Sequence, residues 1–359
     1  MAYPAPAARR EIRVLIVDDS AFMRRAMERL IEQMPGVTVA GTAGDGLEGI
    51  KRALELRPDV ITMDVEMPKM DGVAAVGEIM RTVPTPIVMV STLTSAGADT
   101  TMRALEAGAV EAIAKPSGLS HDLANVGERL AEAIQRASFA NVRRARPSPL
   151  VALPRPASPP VLAGGRPSSQ LVVIGSSTGG PPALTEVVPH LPADLNAGVL
   201  IVQHMPAGFT GALARRLDAL SPLNVAEAVD GEPVRPGRVL IAPGDFHLVV
   251  TRDRRVRLEQ GPTVHGVRPS VDVTLNSVAE VYGGNVAVAI LTGMGKDGAD
   301  GAVQVERAGG RVITQDEATS VVYGMPRVAR EKTQHAQELP LDRIADALAR
   351  ALPGWRGTR

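Results

Sequence analysis

Gly175, Ser177 and Gly179 stand in the order G-x-S-x-G, the spacing of a nucleophile elbow. The apolar run Leu171-Val172-Val173-Ile174 leads into them, and Pro181 and Pro182 follow. Such a run reads as a buried strand, and proline is favoured in the first turn of a helix. The hydroxyls of Ser176, Ser177 and Thr178 therefore sit on a strand-to-helix turn, which projects a side chain outward and aims backbone N–H groups at what it attacks. Ser177 is the candidate nucleophile. A Gly-rich turn of this kind also binds phosphate or merely turns the chain, so the chemistry depends on partners elsewhere. A serine needs a base, and a histidine base needs a carboxylate that fixes its tautomer. His204, in Gln203-His204-Met205-Pro206, and Asp297, in Thr292-Gly293-Met294-Gly295-Lys296-Asp297-Gly298, are of those types at two further strand ends. Taken singly, His204 reads as a loop histidine and Asp297 as a helix N-cap. With Ser177 they supply what acyl transfer requires.

A second set occupies the first half of the chain: Asp18 and Asp19, Asp64, Ser91 and Thr92, and Lys115 before Pro116. Alone, an Asp-Asp pair is a solvated loop or a cap, and Lys-Pro is a turn. Gathered at one place, three carboxylates repel one another unless a cation sits among them. Hard oxygen ligands with open positions suit Mg²⁺, and the lysine and hydroxyl suit phosphoryl oxygens.

Elements must bring these residues together. Ile12–Val17, Val37–Ala40, Val60–Met63, Ile87–Val90 and Val110–Ala114 read as strands, with helices such as Ala21–Met34, Ala98–Ala107 and Asp122–Arg136 between and after them. Repeated βα units predict a parallel sheet covered by helices, whose ligand site lies beyond the carboxyl ends of the strands. Every residue of the second set falls at such an end. In the second half, Gly198–Val202, Val286–Leu291 and Arg311–Thr314 read as strands, and Gly208–Leu220, Ser270–Tyr282 and Leu341–Leu352 as helices. Val239–Ala242, Leu248–Thr251 and Arg255–Leu258 are expected as short antiparallel additions. The order Ser, His, Asp is not that of α/β-hydrolases, so that topology is not inferred.

At 359 residues the chain suffices for two domains. Basic and acidic residues balance at 39 each and aromatics are 2%, which offers neither a field for nucleic acid nor base-stacking platforms. Cysteine is absent, excluding disulfides and thiolate chemistry. No apolar run reaches the roughly 18 residues of a membrane span, and residues 1–10 lack the apolar segment of a signal peptide. A cytoplasmic location without membrane insertion is expected. Between the halves, a Pro-, Arg- and Ala-rich stretch reads as a semi-rigid linker.

Val17-Asp18-Asp19-Ser20, Met63-Asp64-Val65-Glu66-Met67-Pro68-Lys69-Met70-Asp71-Gly72, Val90-Ser91 and Ala114-Lys115-Pro116 resemble a response-regulator receiver domain. The resemblance implies a flavodoxin-like (βα)5 fold in which Asp64 accepts a phosphoryl group from a CheA-type histidine kinase. It further implies Mg²⁺ held by Asp19, Asp64 and the backbone carbonyl of Glu66, with Asp18 acting through water. Ser91 and Lys115 would then contact the phosphoryl group.

The second half resembles the CheB-type methylesterase family. The likeness is carried by Ile174-Gly175-Ser176-Ser177-Thr178-Gly179-Gly180, by Gln203-His204-Met205-Pro206-Ala207-Gly208-Phe209-Thr210, by Arg268-Pro269-Ser270-Val271-Asp272-Val273, and by Leu291 to Gly298. This implies an α/β, doubly wound, mostly parallel sheet domain that demethylates glutamyl methyl esters and deamidates glutamines on methyl-accepting chemotaxis proteins. No cofactor is implied for the esterase reaction. Ser177 would be the nucleophile, His204 the base and then acid, and Asp297 its orienting carboxylate. The Met294 N–H would help form the oxyanion hole, and Thr178 would position His204. The boundaries expected are 10–137 for the receiver, 138–168 for the linker and 169–355 for the catalytic domain. An unphosphorylated receiver covering the Ser177 cleft is also implied. The Arg268 to Asp272 stretch reads as a loop-to-helix joint, and Lys296 as a solvent-facing departure from the family pattern. A receiver-linked transcription factor would need a helix-turn-helix after the linker, and none is found; a noncatalytic receptor-binding scaffold stays open.

Overall fold

The computed structural model describes residues 11–92, 94–115, 122–142 and 166–355. Most of the expected 138–168 linker, residues 143–165, lies outside the described residues, as does Pro116. The chain divides into two units.

In chain order the first half alternates β1 (Ile12–Val17), α1 (Ala21–Glu32), β2 (Val37–Ala43), α2 (Gly46–Leu56), β3 (Val60–Asp64), α3 (Gly72–Thr82), β4 (Ile87–Ser91), α4 (Ser95–Glu106), β5 (Glu111–Ala114) and α5 (Asp122–Ser138). Its strands pair in parallel in the order β2-β1-β3-β4-β5. Val14, Leu15, Ile16, Val60, Ile61 and Met63 are fully buried, as a sheet covered on both faces demands, and each such side chain contributes about 1.5–3 kcal/mol. Ser20, Asp45 and Asp71 cap α1, α2 and α3 by accepting the N–H three residues on. These caps follow closely on strand ends and fix where the chain turns. The strand order reverses between β1 and β3, and Asp18, Asp19 and Asp64 gather in that crevice.

The C-terminal unit contains β6 (Leu171–Ser176), α6 (Gly180–Val187), β7 (Gly198–Gln203), α7 (Phe209–Leu220), β8 (Asn224–Glu227), β9 (Arg238–Ile241), β10 (His247–Val250) and β11 (Val256–Glu259). It continues with α8 (Val271–Tyr282), β12 (Val286–Ile290), α9 (Ala299–Arg307), β13 (Arg311–Gln315), α10 (Met325–Lys332), β14 (Gln337–Leu339) and α11 (Leu341–Ala351). Among the described residues a seven-stranded sheet runs β14-β13-β12-β6-β7-β9-β8, with parallel pairing throughout. The strands β6, β7 and β12 are buried at every position.

One expectation is corrected. Val239–Ala242 is not an antiparallel addition: it becomes β9, parallel to β7 and β8. The connection from β8 to β9, residues 228–237, contains no helix, so the strand–helix alternation that announces parallel pairing was missing. The other two short segments do form an antiparallel hairpin, β10 with β11. No helix among the described residues is long and apolar enough to cross a membrane.

Candidate active site and phosphoacceptor pocket

Strand β6 lies between β7 and β12, and one candidate residue follows each of the three strands. Ser177 sits just past β6, in a turn completed by Gly179 at φ +76°, a left-handed conformation that favours glycine. Its N–H donates to the Thr292 carbonyl at 3.0 Å, tying the turn to the loop after β12. That loop can approach because residue 293 is glycine: a Cβ there would stand 2.7 Å from Ser177 Cβ and would also strike the sulfur of Met325. The neighbouring Met294 is exposed, and its N–H donates to no backbone carbonyl among the described residues. Thr178 is buried, and its carbonyl accepts the Thr292 hydroxyl at 2.9 Å.

His204 and Asp297 meet directly, Nε2 to Oδ2 at 2.8 Å. Nε2 is therefore the ring nitrogen engaged by the carboxylate, which leaves Nδ1 available to a further partner. Asp297 does not cap its own helix; Gly298 stands at the N-cap of α9. It instead seats on the N-terminus of α8. Ser270 Oγ donates to Oδ1 at 2.7 Å, Val271 N–H to Oδ2 at 2.6 Å and Asp272 N–H to Oδ1 at 3.1 Å. The positive end of a helix dipole favours an anion there. Burial pushes the Asp297 carboxyl up, but the His204 contact and the Ser270 and Asp272 bonds outweigh it and hold the group at about 2. Lys296 is exposed, as the sequence suggested.

In the N-terminal unit, Lys115 Nζ lies 2.7 Å from Asp64 and 3.0 Å from Asp18. Oxygens of Asp18, Asp19 and Asp64 all fall within 4.8 Å of one another. Asp18 Oδ2 is buried and makes no hydrogen bond, its approach to Lys115 being an ion pair outside hydrogen-bond geometry. Burial drives the Asp64 carboxyl above its ordinary range, against the pull of Lys115 and with the push of Asp18. Burial also opposes the charge on Lys115, but Asp64 and Asp18 overcome it and raise that group. Ser91 is buried at the end of β4, where its carbonyl accepts the Lys115 N–H at 2.7 Å. Glu66 lies exposed in the loop after β3. A buried oxygen without a hydrogen bond, among three carboxylates and one lysine, fits a hard divalent cation.

Residues 172–348 match the CheB methylesterase family, and residues 14–126 match the response regulator receiver domain. A protein-glutamate methylesterase/protein-glutamine glutaminase of Symbiobacterium thermophilum is 50% identical over 356 residues, 96% of this chain and 98% of its own. The chain belongs to the CheB methylesterase family. Proteins of the same description from Thermotoga maritima and Pyrococcus horikoshii are 46% identical over 343 residues and 40% identical over 361. These alignments cover 94% and 98% of the chain, and 98% and 96% of those proteins.

Two polar residues of this CheB-family chain were not singled out from sequence. Gln203 is buried at the end of β7 and bonds three ways: Oε1 accepts Ser176 Oγ at 2.6 Å, and Nε2 donates to the carbonyls of Ser177 and His204, each at 2.9 Å. It staples the end of β6 to the end of β7. Gly180 leaves the room, since a Cβ there would overlap Gln203 Oε1. The other is Ser270, read as part of a joint. It is one, capping α8, and it also holds Asp297. The available signal was an amide beside a histidine at a buried strand end, where an unpaired amide is costly.

Proposed function

We propose that the chain is a phosphorylation-activated protein-glutamate methylesterase and protein-glutamine glutaminase acting on methyl-accepting chemotaxis receptors. The observation that carries this reading is the His204–Asp297 contact at the carboxyl ends of strands flanking Ser177. Ser177 Oγ attacks the side-chain carbonyl of a glutamyl methyl ester while His204 Nδ1 takes its proton. The tetrahedral oxyanion is stabilised by the Met294 N–H, which costs no reorganisation when charge develops. Collapse expels methanol, protonated by His204, and leaves an acyl-enzyme on Ser177. Water then attacks with His204 again as base, releasing glutamate and restoring the serine. With a glutamine substrate the leaving group is ammonia. Asp297, ionised far below neutral pH, orients the ring and stabilises its imidazolium form, and Thr178 helps position His204.

In the receiver unit, Asp64 is the phosphoacceptor for a CheA-type histidine kinase. Asp19, Asp64 and the Glu66 carbonyl would hold Mg²⁺, with Asp18 through water, and the ion when bound offsets charge on the transferring phosphoryl group. Lys115 and Ser91 contact the phosphoryl oxygens. Phosphorylation relieves inhibition of the esterase by the receiver. Its added negative charge biases a two-state arrangement.

Methanol release from methylated receptor tests the reading. Ser177→Ala should lower turnover on the order of 10⁴–10⁶-fold; near wild-type release by that variant would refute it, as would inactivity of the wild-type chain supplied with a phosphodonor and Mg²⁺.

A further inference from the structure

His247 opens β10 and is buried. Its two ring nitrogens have partners of fixed sense. Nε2 meets the Pro262 carbonyl at 2.9 Å, and a carbonyl only accepts. Nδ1 lies 3.2 Å from the Ser270 N–H, which only donates. Both contacts select one neutral tautomer, protonated on Nε2 with a lone pair on Nδ1. Ser270 then passes its own hydroxyl to Asp297 at 2.7 Å. The strand carrying His247 is itself anchored to α8, since the Leu248 carbonyl accepts Thr274 Oγ1 at 2.7 Å and the Val250 N–H donates to Ser277 Oγ at 3.0 Å.

We infer that His247 is a positioning residue for the esterase reaction: its Nδ1 fixes the Ser270 backbone, and through it the carboxylate that orients His204. The inference rests on the triad proposed above. Removing the acceptor leaves the buried Ser270 N–H unsatisfied and frees the N-terminus of α8 to shift. Displacements near 1 Å at a reacting centre cost up to about 10²-fold.

The test compares His247→Leu with His247→Asn, whose amide oxygen takes the place of Nδ1. His247→Leu should lower kcat on the order of 10- to 10²-fold with KM within about twofold, and His247→Asn should recover most of that loss. In an Asp297→Asn background, His247→Leu should cost less than about twofold, because its effect runs through that carboxylate. Imidazole ¹⁵N shifts of the unmodified full-length protein, labelled at histidine, should show His247 protonated on Nε2 alone, a readout that needs neither a variant nor activity. A proton on Nδ1, full activity of His247→Leu, no rescue by Asn, or an equal loss in the Asp297→Asn background would each overturn the inference. Failure of Ser177→Ala to lose activity would instead overturn the triad and leave the nitrogen shifts unaffected.

Discussion

The hydroxyl of Ser270 donates to Asp297 Oδ1 at 2.7 Å while accepting the Val273 N–H at 3.5 Å. One side chain thus both starts helix α8 and holds the carboxylate that faces His204. Ser270→Ala should lose about 1 kcal/mol of capping stability and lower kcat on the order of tenfold. Calorimetry and methanol release measure the two effects separately. Unchanged kcat with a lowered Tm would reduce Ser270 to a cap.

Asp297 is held at about 2, below its ordinary value of 3.8. A depressed carboxyl adds stability above its unfolded-state value and loses it as pH falls through the folded-state value. The stability gap between the wild-type chain and Asp297→Asn should therefore be constant above about pH 5 and shrink by about 2 kcal/mol toward pH 2. Denaturant titrations across that range check it; a gap independent of pH would contradict the clamp.

Gln203→Leu leaves the buried Ser176 hydroxyl and the part-buried His204 carbonyl without their partner. The expected cost is about 3 kcal/mol, a fall in Tm on the order of 10 °C, with a loss of kcat because the two strand ends are no longer stapled. A variant as stable and active as the parent would show that β-sheet pairing alone sets the spacing.

Lys115 separates two carboxylates. Lys115→Ala should destabilise the receiver by about 3 kcal/mol at neutral pH, since removing one partner leaves uncompensated buried charge. Asp64 is already raised by burial, so its cost is present at high pH and disappears as the group protonates. Acid should narrow the deficit, and Mg²⁺ should raise the melting temperature of the variant more than that of the wild type. Equal Mg²⁺ shifts would argue against an ion among Asp18, Asp19 and Asp64.

Gating makes a separate prediction. A fragment from about Ser169 to Arg359 should exceed the resting full-length chain in methanol release. A small-molecule phosphodonor with Mg²⁺ should activate the full-length chain, while Asp64→Asn should not respond. Equal basal rates with no phosphodonor effect would exclude the mechanism.

Much of this architecture was legible because strand ends and chemistry coincided. Val60-Ile61-Thr62-Met63 reads as a strand from its apolar, β-branched run, and Asp64 stands at the carboxyl end of that strand. The same logic singled out Ser177, His204 and Asp297 as candidates at three further strand ends. It failed where a residue acts across the fold rather than along it. Gln203 precedes His204 in the chain, yet two of its three bonds reach Ser176 and Ser177 at the end of β6; Ser270 and Asp297 meet only because the start of α8 is seated against the loop after β12. β8, α10 and β14 were missed because short segments carry too little period to stand out. β9 was taken as antiparallel because its return connection lacks a helix.

Strand β6 pairs with β12 as well as with β7. Of these three strands the ribosome makes β6 and β7 before β12, so a growing chain holds Ser177 and His204 well before Asp297 exists. Asp297 enters only after β8 to β11 and α8 have been made, and it reaches its seat by inserting β12 on the far side of β6. On the triad proposed above, the chain would be chemically silent for most of its own synthesis, and a product truncated before β12 would carry Ser177 and His204 without the carboxylate that orients the ring.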